Sequence, residues 1–186
     1  MLTMQRKELL KKSAIRHAEY YGMVEVQDAL YADSANKKIF TDLISIIGSD
    51  ANIKMAYRNL KSNKGSNTPG VDGKTFKDLA EMSEEALVRC VRDKILNYQP
   101  KAVRRVYIPK SNGKMRPLGI PTVIDRIVQQ SVLQVMEPIC EAKFYRHSYG
   151  FRPNRSTKNA VAVCYKLAQV DGFHYVVDVD IKGFFD

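Results

Sequence analysis

The dipeptide Asn112-Gly113 restricts the fold more than any other pair in this chain. Asn-Gly favours the tight left-handed turn whose twist matches an antiparallel ribbon. Its flanks predict a hairpin, with strands from Ala102 to Ile108 and from Met115 to Ile120 and a turn at Ser111-Asn112-Gly113. The ribbon is cationic: Lys101, Arg104, Arg105, Lys110, Lys114 and Arg116 lie in a span with no acid from Lys101 to Ile124. Such a surface attracts phosphate. Arg116 can fork two phosphate oxygens, whereas Lys110 acts as a point charge. Protection of an exposed sheet edge would explain the lysines but not the three arginines.

Around the hairpin the sequence reads as helices. Residues 3–18 suggest a basic helix with Leu9, Leu10 and Ile15 on one side. Asp33 or Ser34 is expected to cap a helix running to Ile47, with Ile39, Leu43, Ile46 and Ile47 at helical spacing and Gly48 ending it. Ser49 or Asp50 opens the next, with Ile53, Tyr57 and Leu60 inward. Lys54, Arg58, Lys61 and Lys64 stud this helix, and no acid lies between Ala51 and Val71. That spacing fits a phosphate-tracking stripe and a merely solvated face equally well. Residues 64–75 form a loop; Gly73-Lys74-Thr75 resembles the end of a phosphate-binding P-loop, but Thr68 stands where its first glycine belongs, which excludes it. Ser83 caps a helix to Tyr98 with Leu87, Val88, Val91, Ile95 and Leu96 inward. Pro121-Thr122 opens a long helix to Cys140 with a core stripe of Ile127, Val128, Val132, Val135, Met136 and Ile139. Ser156 caps a last helix through Leu167. Between these two, Phe144 to Ser156 alternates aromatics with cations, and no acid appears from Lys143 to Lys158. That loop could stack bases and hold phosphates, or fill a core.

Composition narrows the partners. Apolar residues make up 45%, which suits a globular chain, and a net charge of +10 with a pI near 9.5 favours nucleic acid. No apolar run approaches the length of a membrane span. The N-terminus is too charged for a secretory signal. Cys90, Cys140 and Cys164 read as buried free thiols of a reducing compartment, and the expected location is cytoplasmic, in a bacterium.

The end of the chain carries candidate chemistry. Tyr175, Val176, Val177 and Val179 read as a buried strand with Asp178 and Asp180 two apart, hence on one face. Carboxylates near a desolvated site must neutralise, pair or bind a cation. Facing a polyanion, they suggest Mg²⁺ bridging carboxylate and phosphate. A calcium loop fails because Lys182 occupies a ligand position, and solvated aspartates after a strand remain an alternative. A sheet strand at the very end of a sequence lacks partners, so a truncated piece or the first part of a longer protein is expected.

Several motifs occur in order: Asn67-Thr68-Pro69-Gly70-Val71-Asp72-Gly73, Ile108-Pro109-Lys110, Arg116-Pro117-Leu118-Gly119-Ile120-Pro121-Thr122, Asp125-Arg126, His147-Ser148-Tyr149-Gly150-Phe151-Arg152-Pro153, and Asp180-Ile181-Lys182-Gly183-Phe184-Phe185-Asp186. Together they resemble the N-terminal half of a group II intron reverse transcriptase, or maturase. The resemblance covers residues 65–186. It implies an α+β fold, mostly helical with a basic hairpin and one palm strand: the fingers and partial palm of a right-hand polymerase. The implied division is a basic N-terminal extension at 1–64, fingers at 65–172 and the start of the palm at 173–186. It further implies RNA-directed DNA polymerase activity, intron RNA binding and a role in splicing.

By that resemblance Asp180 is catalytic and binds Mg²⁺ together with the Ile181 carbonyl. Lys110 and Arg116 grip the triphosphate of a deoxynucleotide, and Phe185 packs under its sugar. Arg152 and Arg155 meet the template–primer; Asn67, Pro69 and Gly70 touch template RNA; Arg58, Lys61 and Lys64 meet intron RNA. Asp178 is structural. The second carboxylate motif that two-ion phosphoryl transfer requires is absent from this sequence, so the chain alone is expected to bind RNA without polymerising and to hold Mg²⁺ weakly. The alternative is a purely RNA-binding splicing cofactor; a weaker one is a phosphoryl-transfer hydrolase built on Asp178 and Asp180. A homodimer through exposed apolar edges is a further expectation.

Overall fold

A computed structural model describes residues 15–109, 111 and 113–181. Leu9 and Leu10, Lys110, Asn112, and Lys182 to Asp186 lie outside the described residues. The chain forms two compact units, one ending at Lys143 and one beginning at Phe144. Among the described residues secondary structure is mostly helical, with one two-stranded antiparallel sheet.

The first unit is built on a single long helix. Its described helices are α1 (15–20), α2 (Val24–Ala35), α3 (Ile44–Ile47), α4 (Asp50–Lys61), α5 (Phe76–Leu79), α6 (Glu84–Leu96) and α7 (Val123–Glu141). α2, α3, α4 and α6 all pack on α7. Ile127, Val128, Val135 and Ile139 recur at helical spacing on its buried face, as expected, but Val132 is exposed and so is Leu96 of α6. Leu30, Ile53, Val88, Val91 and Val123 complete the same core. Residues on both sides of position 64 therefore share one core.

Local capping places most helix starts. The hydroxyls of Ser49, Ser83 and Thr122 accept from the backbone N–H of Asn52, Ala86 and Asp125, satisfying donors that the first turn leaves free. Arg92 of α6 donates to the Gly48 carbonyl at 2.8 Å and pairs with Asp50, tying α6 to the start of α4. A buried polar ladder sets α4 against α7: Gln134 Nε2 donates to Asn52 Oδ1 at 2.7 Å, and Asn52 Nδ2 donates to the Ile47 and Ser131 carbonyls at 2.9 Å. Asn59 extends it, donating to Gln134 Oε1 at 2.9 Å and accepting from His17 Nδ1 at 2.6 Å. Each buried amide finds partners, which removes the cost of desolvating it.

Three expectations need correction. The helix expected from Asp33 or Ser34 to Ile47 does not form. Instead α2 ends at Ala35, and Lys37 takes a left-handed conformation with φ 61°. Lys37 N–H and Lys38 N–H close back on the Ser34 and Asp33 carbonyls at 3.0 Å, which terminates the helix. Ile39 is left 84% exposed, and only Ile44–Ile47 is helical again. The cysteines are free, but Cys90 and Cys164 are exposed rather than buried.

In the second unit, α8 (Thr157–Gln169) starts at Ser156, whose hydroxyl accepts from Asn159 N–H. The strand expected at 175–179 is the third correction. Residues 172–181 carry no strand, and Tyr175, Val176, Val177 and Val179 are more than four-fifths exposed. A strand exists only where a neighbour takes its backbone hydrogen bonds, and no described residue pairs with this segment.

Candidate nucleic-acid interface

The hairpin joins Arg104–Pro109 (β1) to Met115–Ile120 (β2) in antiparallel register. Arg104 pairs with Ile120, Val106 with Leu118 and Ile108 with Arg116. Opposed residues share a face, so Arg104 and Arg116 stand at the two ends of one side with apolar residues between them. At the base, Arg104 is half-buried and donates to the Pro69 carbonyl at 2.9 Å. At the tip, Arg116 is exposed. Its guanidinium has the fork geometry that a phosphate requires. Gly113 supplies the turn with φ 78°.

Beside the ribbon's base lies the loop 64–72. A 3-10 turn at Lys64–Asn67 leaves Lys64 and Asn67 exposed. Gly70 is buried: a Cβ there would lie 2.7 Å from Thr122 Cα and 2.9 Å from Thr122 N, so only glycine allows this approach. Arg126 fastens the loop from α7. Its Nε donates to the Pro121 carbonyl at 3.1 Å and one terminal nitrogen to the Gly65 carbonyl at 2.9 Å, while the other meets the Thr68 carbonyl. Burial pulls the Arg126 guanidinium below its ordinary pKa; Asp72 opposes that and Arg104 adds to it. Sequence reasoning assigned Arg126 no role. A cation in the first turns of a helix opposes the helix dipole, and that conflict was the available signal of a tertiary partner.

Of the four cations expected on one helix, Lys64 lies past the end of α4 in the 3-10 turn, and the three on α4 separate. Lys54 pairs with Glu84 at 2.5 Å, and that hydrogen bond raises its pKa. Arg58 lies over the Tyr20 ring at 4.8 Å, and Lys61 over Tyr57 at 5.5 Å. Such stacking orients a cation while leaving hydrogen-bond donors for an anion.

The second unit's loop is closed by its own arginines. Arg152 donates to the Tyr145 and Ser148 carbonyls at 2.9 and 3.0 Å and lies 5.1 Å from the Phe144 ring centroid. Arg155 donates to the Arg146 carbonyl at 3.1 Å and covers Tyr149 at 5.6 Å. Both guanidiniums thus shape the loop. Phe151, between Gly150 and Arg152, has φ 56° and a fully exposed ring.

Asp178, Asp180 and Ile181 are exposed. No group of three His, Cys, Asp or Glu side chains suited to a metal occurs among the described residues. One or two solvated carboxylates do not meet the needs of Mg²⁺, which keeps its waters and binds where phosphates add ligands. The described residues therefore do not by themselves fit the ion that the motif implies. Lys110 and Phe185 lie outside the described residues. Among the described residues no helix is long and apolar enough to cross a membrane.

Comparison with known proteins agrees with the motifs. Residues 108–186 match the family described as reverse transcriptase (RNA-dependent DNA polymerase). The chain is 46% identical over 137 residues to Protein YkfC of Escherichia coli, covering 70% of this chain and 35% of that protein. It is 41% identical over 133 residues to the group II intron-encoded protein LtrA of Lactococcus lactis, covering 71% of this chain and 22% of that protein. A putative COX1/OXI3 intron 1 protein of Saccharomyces cerevisiae is 30% identical over 165 residues, covering 86% of this chain and 19% of that protein. The chain thus spans about a third or less of the length of these relatives. On its ordered motifs and these relatives, the chain belongs to the reverse transcriptase family, alongside the proteins encoded by group II introns.

Proposed function

We propose that this chain supplies the fingers and the start of the palm of an RNA-directed DNA polymerase that also binds its intron RNA. The observation that carries this reading is Arg116, exposed at the tip of an acid-free ribbon within the segment matching reverse transcriptases. In this reading Arg116 and Lys110 hold the triphosphate of an incoming deoxynucleotide, and Phe185 packs under its sugar. Asp180 and the Ile181 carbonyl contribute to a Mg²⁺ site whose remaining ligands the described residues do not provide. Arg152 and Arg155 reach the template–primer through the loop they shape. Asn67, exposed on its loop, touches template RNA, Pro69 and Gly70 serve that contact by seating the loop against Arg104 and Thr122, and Arg58, Lys61 and Lys64 meet intron RNA. The division into 1–64, 65–172 and 173–186 is one of role, since packing unites residues on both sides of position 64. A cytoplasmic setting goes with this role. A second copy of the chain is a further partner, held through exposed apolar residues such as Tyr165 and Val170.

The chain by itself binds RNA and does not extend a primer, because in-line displacement needs carboxylates from at least two positions in one site. Primer extension above background by the purified chain would refute that. Asp180→Ala is expected to leave RNA affinity unchanged and to abolish synthesis in a polymerase containing this segment. A collapse of RNA affinity in that variant would assign Asp180 to structure instead.

A further inference from the structure

A cleft of about 550 Å³ opens on the first unit between α4, α6 and the turn after α5. Its floor is apolar, formed by Ile53, Leu79, Leu87 and Val88, and its rim carries Tyr57, Arg58 and Lys61. The Tyr57 ring is backed by Phe76, with centroids 5.7 Å apart, so it is already oriented. Burial pushes the Tyr57 phenol above its ordinary range. Lys54, also on the wall, is neutralised by Glu84. Arg58 and Lys61 are held at the mouth by ring contacts.

An apolar floor, an aromatic wall and cations at the entrance suit a ligand with a planar face and an attached anion. The volume is within the range of small-ligand sites, and a chain of charge +10 selects polyanions over neutral molecules. In duplex RNA the bases are stacked away from such a wall, whereas an unpaired base can turn out and stack on tyrosine. We propose that this cleft receives one unpaired RNA base on Tyr57, with Lys61 moving off that ring to join Arg58 on the adjoining phosphate. The inference rests on the RNA-binding reading above and adds that the α4 surface takes a base as well as phosphates.

The test titrates the full chain with three labelled probes: an oligoadenylate, an abasic ribose-phosphate chain of equal length, and an RNA duplex. The oligoadenylate is expected to bind about tenfold more tightly than the abasic chain, the scale of one stacked base. Ala80 lies exposed on the cleft's rim, and Ala80→Trp fills the opening without touching a charge. That variant is expected to bind oligoadenylate no better than the abasic chain, with the salt dependence on the abasic chain unchanged. Equal binding of both probes by the unmodified chain overturns the cleft's role and leaves the phosphate contacts standing. So does an unchanged base preference in an Ala80→Trp protein of normal helix content. Absence of salt-dependent binding to every probe overturns the RNA-binding reading and the cleft with it. Should Ala80→Trp fail to fold, an oligonucleotide carrying 2-aminopurine, added to the unmodified chain, supplies the result: emission changes on stacking, and unchanged emission rejects the proposal.

Discussion

Gln27 of α2 donates its side-chain amide to the backbone carbonyl of Gln134 on α7, at 3.1 Å. That carbonyl is available because Pro138, four residues on, has no N–H to offer it. Seven residues on, Ser34 donates to the Ile139 carbonyl at 2.7 Å, an acceptor left free because α7 ends at Glu141 and Lys143 N–H turns to the Cys140 carbonyl. A proline inside a helix thus creates the acceptor that docks a neighbouring helix.

This relationship is measurable by a double-mutant cycle. Gln27→Ala is expected to cost about 1 kcal/mol in urea denaturation, the net value of a hydrogen bond. In a Pro138→Ala background the Gln134 carbonyl regains a helical donor, and the cost of Gln27→Ala should fall to near zero. Equal costs in both backgrounds would show that the two residues are not coupled.

Arg126 makes a second prediction. Its guanidinium meets the carbonyls of Gly65 and Thr68 from a partly desolvated position. Arg126→Ala should cost about 2 kcal/mol, in the range for hydrogen bonds to a charged donor. Arg126→Lys should recover little, since an ammonium cannot span two carbonyls with a planar fork. Amide exchange of residues 64–70 should accelerate in both variants.

Glu137 on α7 gives a pH dependence. Partial desolvation first, and the charge of Glu141 second, push the carboxyl of this solvent-accessible residue above the ordinary range. A carboxyl raised on folding binds its proton more tightly in the native state, so the protein gains stability as pH falls through the native pKa toward the unfolded value. At neutral pH the ionised group is a liability. Glu137→Gln should therefore raise the denaturation midpoint at pH 7, with the advantage shrinking through that window and vanishing below about pH 4.

Salt dependence separates the α4 cations. For single-stranded RNA, log affinity should fall with log salt by about 0.7 for each phosphate contact. Lys61→Ala should reduce that slope by about one contact. Lys54→Ala should leave it unchanged, because Lys54 is engaged with Glu84.

Phe151 holds a left-handed backbone with no buried side chain to compensate. Phe151→Asn should stabilise the second unit by about 1 kcal/mol, since asparagine tolerates this conformation. An unchanged or lower melting temperature would mean that the ring makes a contact which offsets the strain.

The features legible in the sequence are local ones. Ser49, Ser83, Thr122 and Ser156 announced four helix starts, because a capping hydroxyl and the N–H it satisfies lie within three residues of each other. Asn112-Gly113 announced the hairpin for the same reason, and the ordered motifs identified the family. Helix α2 went unread because its buried face is Leu30 and Ser34, one apolar and one polar residue, and the serine belongs inside only because α7 offers a carbonyl more than a hundred residues away. Residues 175–179 have the composition of a strand, yet strand formation is decided by a neighbour's backbone and not by composition. The loop at 64–70 was legible as a loop, but what holds it in place was not. Turns and caps are written into neighbouring residues; the partners of Ser34, Arg126 and Tyr57 are chosen by packing across the fold, where no local pattern reaches.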